Sequence, residues 1–167
     1  MEQGSIIGYE INEKTCQISY YDEHESEPVT MEVDADNFQI PLIIGKLRNT
    51  WAYGKEAKRL ATVKEGITVT KLLERALAGE KVDFGEETYD AVWLLSKFIQ
   101  LSLQSFPKIA SIVFTVPELT EELAQLLRGI AVRMDVDKRR IFIQDYKESF
   151  CYYLFYQPKE LWQYESA

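Results

Sequence analysis

The chain has 167 residues, 46% apolar and 28% charged. That is about one domain's worth of chain, and its composition excludes disorder and permits a core without covalent staples. Lys and Arg number 19 against 27 Asp and Glu, a formal charge of -8, which argues against nucleic-acid binding and against docking on an anionic membrane, since both rest on clustered cations. Two cysteines, Cys16 and Cys151, give neither a disulfide framework nor zinc-ligand spacing, so a reducing compartment, the cytoplasm, is expected. No basic stretch opens the chain as in a secretory signal, and no apolar run approaches the roughly 20 residues of a membrane span.

The first third reads as strands. Ser5–Ile11 (SIIGYEI) is apolar and β-branched, and residues 14–21 (KTCQISYY) alternate, with Cys16, Ile18 and Tyr20 on one face. Asn12-Glu13 between them predicts a tight hairpin turn, because Asn tolerates positive φ. Residues 28–33 (PVTMEV) follow an acidic turn as a third short strand, with Pro28 at its start, where no ladder donor is needed. Residues 38–84 read as an irregular insert. It holds an apolar run over 38–47 broken by Pro41 and Gly45, a short helix over 54–62 and another over 70–78 stopped by Gly79.

The second half alternates helix and strand. Val92, Leu95, Ile99 and Leu103 predict a long helix over 86–105, with Glu86 and Glu87 favourable at its N-terminus. Ile109–Val116 (IASIVFTV) has the near-continuous β-branched pattern of a strand buried on both faces, ended by Pro117. Thr120 caps a helix over 121–134 with a core stripe of Leu123, Leu126, Leu127 and Ile130. Residues 140–144 (RIFIQ) form another strand, and 146–156 an aromatic-rich helix that stops before Pro158. Strands joined through crossover helices lie parallel. The expected fold is one α/β domain over 1–167: a five-stranded mixed sheet, three antiparallel strands then two parallel, with helices on both faces.

This order resembles the ribonuclease H-like fold, and four segments carry a narrower likeness. Residues 6–21 (IIGYEINEKTCQISYY), 40–61 (IPLIIGKL followed by YGKEAKRLA), 108–136 (KIASIVFTVPELTEELAQLLRGIAVRMDV) and 139–155 (RRIFIQDYKESFCYYLF) occur in family order and cover most of the chain. Together they resemble the first half of the actin, sugar kinase and heat-shock chaperone ATPase superfamily. The first resembles its phosphate-binding hairpin, the second its Ile-Pro and Gly-x-x-Ala-Lys stretch, the third its strand, Thr-Val-Pro and helix unit, and the fourth its connecting strand and helix.

The resemblance implies roles residue by residue. The hairpin acid that organises magnesium falls on Glu10, the hairpin glycine on Asn12, and its two threonines on Glu13 and Lys14. Glu13 is unsuited to the role, since a carboxylate beside a triphosphate repels it by a few kcal/mol at an effective dielectric of ~20; Lys14 compensates in part. Read from the residues alone, the segment is a polar hairpin turn. The connecting strand's magnesium-shell acid falls on Asp145, which read alone is a helix cap. The chaperones' phosphate-contacting lysine falls nearest to Lys71, which read alone is an exposed helix residue. The family's second phosphate hairpin and its adenosine motif have no counterpart here. ATP and magnesium are therefore expected only in a longer context, with none bound to this chain.

Two function classes follow. One is the N-terminal half of a divergent chaperone-like, nucleotide-binding protein, weak or inactive as an ATPase. The other is a non-catalytic interaction or assembly module on the same fold. A ribonuclease H-like nuclease is a third, weaker reading, because Glu10 and Asp145 supply too few acids for two metals. Partners are expected through the aromatic C-terminal region, where Phe150, Tyr152, Tyr153, Phe155, Tyr156, Trp162 and Tyr164 fall within residues 150–164. They are either the second half of the same protein or another chain. His24 in its acidic turn and the run 138–140 read as solvated, Cys16 and Cys151 as small buried hydrophobes, and no metal ligands are assigned.

Overall fold

Alternation along the first strand sets the architecture. In β1 (Ser5–Ile11) the side chains of Ile7, Tyr9 and Ile11 are fully buried, while Ile6 and Glu10 face outward. β2 (Thr15–Tyr21) buries Cys16 and Ile18 on the same side. The structure is a computed structural model and describes residues 4–21 and 27–147. After β2 come β3 (Val29–Thr30), β4 (Ile40–Pro41), β5 (Ile44–Leu47), β6 (Thr50–Tyr53), α1 (Lys55–Leu60), β7 (Gly66–Val69) and α2 (Leu72–Leu77). β8 (Lys81–Phe84), β9 (Glu87–Asp90), α3 (Ala91–Ser102), β10 (Ile109–Val116), α4 (Glu121–Arg133) and β11 (Ile141–Asp145) complete the described chain.

The main sheet runs β11-β10-β1-β2-β3, with β4 pairing alongside β2. β1 is antiparallel to β2 and parallel to β10, and β10 is parallel to β11. The fold is thus α/β with a mixed sheet, in the direction pattern expected. The strand count is six, not five, because the Ile-Pro step extends the sheet as β4.

Among the described residues, α3 and α4 lie on the same face of the main sheet. Ser102 on α3 meets Tyr9 of β1: the Tyr9 hydroxyl and Ser102 Oγ lie 2.7 Å apart, both buried. Leu127 and Ile130 of α4 join the same core cluster as Tyr9, Phe98 and Phe114. Both helices therefore cover one face. On the other face Ile6 and Phe142 are 46% and 51% exposed. β10 accordingly buries only Ile112, Phe114 and Val116 fully, with Ser111, Val113 and Thr115 half-buried, so it is not buried on both faces. The expected helix over 146–156 lies outside the described residues beyond Lys147, as do the aromatic residues 150–164, Cys151 and His24.

The insert is ordered rather than irregular. β6, β5 and β7 form a second antiparallel sheet, and β8 and β9 a hairpin. Glu87–Asp90 pairs with Lys81–Phe84, so α3 begins at Ala91 and not at residue 86. α4 starts as expected, Thr120 Oγ1 accepting from the Leu123 N–H at 3.2 Å.

Candidate functional site

The parallel strands β1, β10 and β11 end side by side. In open α/β sheets, ligands are received outside such carboxyl ends, where the strand order reverses. Here the reversal lies between β1 and β10. Glu10 stands beside Thr115, and Thr115 beside Gln144, in one row across the three strands. Gln144 Nε2 donates to Thr115 Oγ1 at 3.2 Å. Glu10 is exposed at the end of this row.

The turn from β1 to β2 is built by one side chain. Asn12 Oδ1 accepts from the Lys14 N–H at 2.8 Å and from the Thr15 N–H at 2.9 Å. Asn12 Nδ2 donates to Thr15 Oγ1 at 3.2 Å, and the Asn12 N–H to the Thr15 carbonyl at 3.0 Å. This is an Asx-type turn, in which the side chain takes the part of a backbone acceptor. Asn12 does so without positive φ, contrary to the expected mechanism. Lys14 is exposed, and its carbonyl accepts from the Leu42 N–H at 2.8 Å, tying the hairpin to the start of the insert.

Asp145 follows Gln144 in register, beside Val116. Strand alternation puts its side chain on the opposite face of the sheet from the Glu10, Thr115 and Gln144 row. β10 also lies between β1 and β11, so two strand spacings, about 9.5 Å, separate their backbones. The two predicted acids thus share an end of the sheet but not a face. Among the described residues, no group of three or more His, Cys, Asp or Glu is placed to hold a metal ion.

Lys71 lies further out. Val69 pairs with Ile44 in the insert sheet, and Lys71 follows two residues later at the N-terminus of α2. Its φ of 55° is left-handed, a conformation costing a non-glycine residue about 1–2 kcal/mol. It is exposed and precedes the helix instead of lying within it.

The structure brings residues to this end of the sheet for which no site role was expected. Thr115 and Gln144 join Glu10's row. Tyr146 sits against the hairpin. Burial raises its phenol above the ordinary range, the negative Glu10 adds to this, and a hydrogen bond with Asn12 works the other way. Cys16 is buried as expected, and burial pushes its thiol up to about 12. A groove of about 620 Å³ lies elsewhere, between β6, α1, the end of α3 and residues 31–34.

Residues 25–167 match the C-terminal part of a family of unknown function, DUF5716. No curated protein matches the chain.

Proposed function

From a chain that belongs to the DUF5716 C-terminal family, we propose the following reading: it is a ribonuclease H-like lobe of the actin-like ATPase kind whose nucleotide-side turn has become self-contained. It is inactive as an ATPase by itself. The strand order and directions support the ribonuclease H-like assignment. The carrying observation is the pair of hydrogen bonds from the Lys14 and Thr15 amides to Asn12 Oδ1.

In the superfamily that this chain resembles, the amides of this hairpin cradle phosphate oxygens. Here an internal oxygen already takes both donors. A phosphate would have to displace it and would then meet the Glu13 carboxylate at the exposed tip. Glu10 and Asp145, on opposite faces of the sheet, do not converge on one magnesium shell. The residues present do not fit ATP and magnesium, and no catalytic step is assigned to Glu10, Asp145, Asn12, Lys14 or Lys71.

A second reading, the non-catalytic interaction module, is favoured by an aromatic pair at the junction of β9 and α3. There Trp93 stacks on Tyr89 with ring centroids 5.0 Å apart and remains 43% exposed. The family's description as a C-terminal region also sits better with such a module than with the first half of a two-lobed ATPase.

The test is calorimetric titration of Mg-ATP into the chain and into Asn12→Gly. The wild type is expected to give no saturable binding below about 1 mM. Micromolar binding by the wild type would overturn the reading, whereas binding gained only in Asn12→Gly supports a turn closed by its own side chain.

A further inference from the structure

β6 is the outer strand of the insert sheet, whose order is β6-β5-β7. Its pairing fixes which backbone groups remain free. Gly45 stands opposite Ala52 and Leu47 opposite Thr50, and the Gly54 N–H donates to the Ile43 carbonyl at 2.9 Å. Hydrogen-bonded pairs alternate along an antiparallel ladder. Thr50, Ala52 and Gly54 therefore turn their backbone groups toward β5, and Trp51 and Tyr53 turn theirs away. Among the described residues, no backbone group pairs with the outward N–H and C=O of Trp51 or Tyr53.

This edge is held in place from both sides. The Trp51 ring packs on Trp93 with centroids 5.4 Å apart, and the Tyr53 ring on Phe98 at 5.8 Å, both partners on α3. α1 packs against the opposite face of the same sheet. The groove of about 620 Å³ runs beside β6, with Leu101 of α3 and Gln104 just past its end on one flank and Lys55, Glu56 and Arg59 of α1 on the other. Residues 31–34 form the far wall, and Met31 and Val33 there are half-buried. The volume lies within the usual range of ligand-binding clefts. β6 is about 13 Å long at the standard rise per residue.

Charge narrows the occupant. The groove carries three carboxylates, Glu32, Asp34 and Glu56, against Lys55 and Arg59. Lys55 pairs with Asp34 at 2.5 Å and Arg59 with Glu56 at 2.8 Å. Among the described residues, Glu32 has only a backbone partner, its Oε1 accepting from the Asp36 N–H at 2.8 Å. A negative charge therefore stands exposed on the wall opposite the unpaired edge.

We propose that the β6 edge receives an extended segment of a partner protein as an added strand, with alternating apolar side chains and a Lys or Arg that reaches Glu32. The outward groups of Trp51 and Tyr53 supply two donors and two acceptors for the incoming backbone, and the pinned rings preorganise them. Main-chain pairing gives affinity in such additions, and the alternate side chains give selectivity. The surface is independent of the β1–β2 turn and does not rest on the nucleotide reading.

The probe is a fluorescein-labelled peptide of alternating Val and Lys, about eight residues long, titrated by fluorescence anisotropy. Saturable binding is expected in the micromolar range. Methylating alternate backbone nitrogens of the peptide removes its donors and should weaken binding about thirtyfold, with the protein untouched. The exposed change Glu32→Lys should weaken the parent peptide about tenfold without altering the unfolding midpoint. Hydrogen exchange locates the contact: the Trp51 and Tyr53 amides should slow on peptide addition, while that of Ala52 stays as it was. No saturable binding below about 1 mM, equal binding of the methylated peptide, or unchanged Trp51 and Tyr53 exchange in the bound state would each overturn the proposal.

Discussion

The β1–β2 turn and the outer edge of β6 offer the same chemical groups, backbone N–H donors, and dispose of them in opposite ways. At the turn, Asn12 takes the Lys14 and Thr15 amides for itself. At the edge, the outward amides of Trp51 and Tyr53 have no backbone partner among the described residues. The turn lies where the fold would be expected to bind a ligand, and it is closed. The edge belongs to an insert that fold-level reasoning passes over, and it is open. What a position offers a ligand is thus decided by local side-chain chemistry and not by its place in the fold.

The largest expected effect removes both regions together. Phe98 is fully buried in α3 and its ring meets Tyr53, so it joins the main core to β6. Phe98→Ala should cost about 3–5 kcal/mol in urea unfolding and speed exchange at the turn and at the edge alike. If the edge alone responded, the two regions would not share α3 as a support.

Next comes a change confined to the edge. Gly54 ends β6 with φ 65° and ψ -134°, and an added Cβ would stand 2.8 Å from Ile40 Cγ2. Gly54→Ala should cost about 1–3 kcal/mol. It should speed exchange in β6 and α1 while the Lys14 and Thr15 amides stay protected. Asn12→Ala is the reverse case, costing about 1 kcal/mol and exposing those two amides with β6 unchanged.

The smallest effect is a pH response. Glu87 is held below the ordinary carboxylate range, first by the Tyr89 hydroxyl and then by Lys46, whose Nζ is 2.9 Å away. Because the folded value is depressed, any stability from this contact is present above the unfolded value and lost as pH falls through the folded one. Carboxylate NMR should find Glu87 titrating below the ordinary carboxylate range, and Lys46→Met should bring it back toward that range.

The main sheet was legible because its strands carry long patterns. The alternation of Ile7, Tyr9 and Ile11 and the run Ile109–Val116 leave few other readings. The insert was not, because each of its strands from β5 to β9 has only four residues, too few for a period to assert itself. Glu87–Asp90 reads as the start of a helix because acidic residues suit that position, and only its pairing with Lys81–Phe84 decides otherwise. Helix spacing identified α3 and α4 but could not say that they share a face, which depends on the path of the chain between them. At the site, Glu10, Asn12 and Asp145 were found as positions at one end of the sheet. That Asn12 satisfies its own turn, and that Glu10 and Asp145 lie on opposite faces, depends on side-chain rotamer and strand register, neither of which a single sequence records.

The most direct test of the self-contained turn is to follow the Lys14 and Thr15 amides by nitrogen-edited NMR while Mg-ATP is added to the chain. Their signals should stay in place up to about 1 mM nucleotide, because Asn12 Oδ1 holds both protons. Saturable movement of both signals at micromolar nucleotide would contradict the account, since it would mean that phosphate displaces the Asn12 side chain with ease.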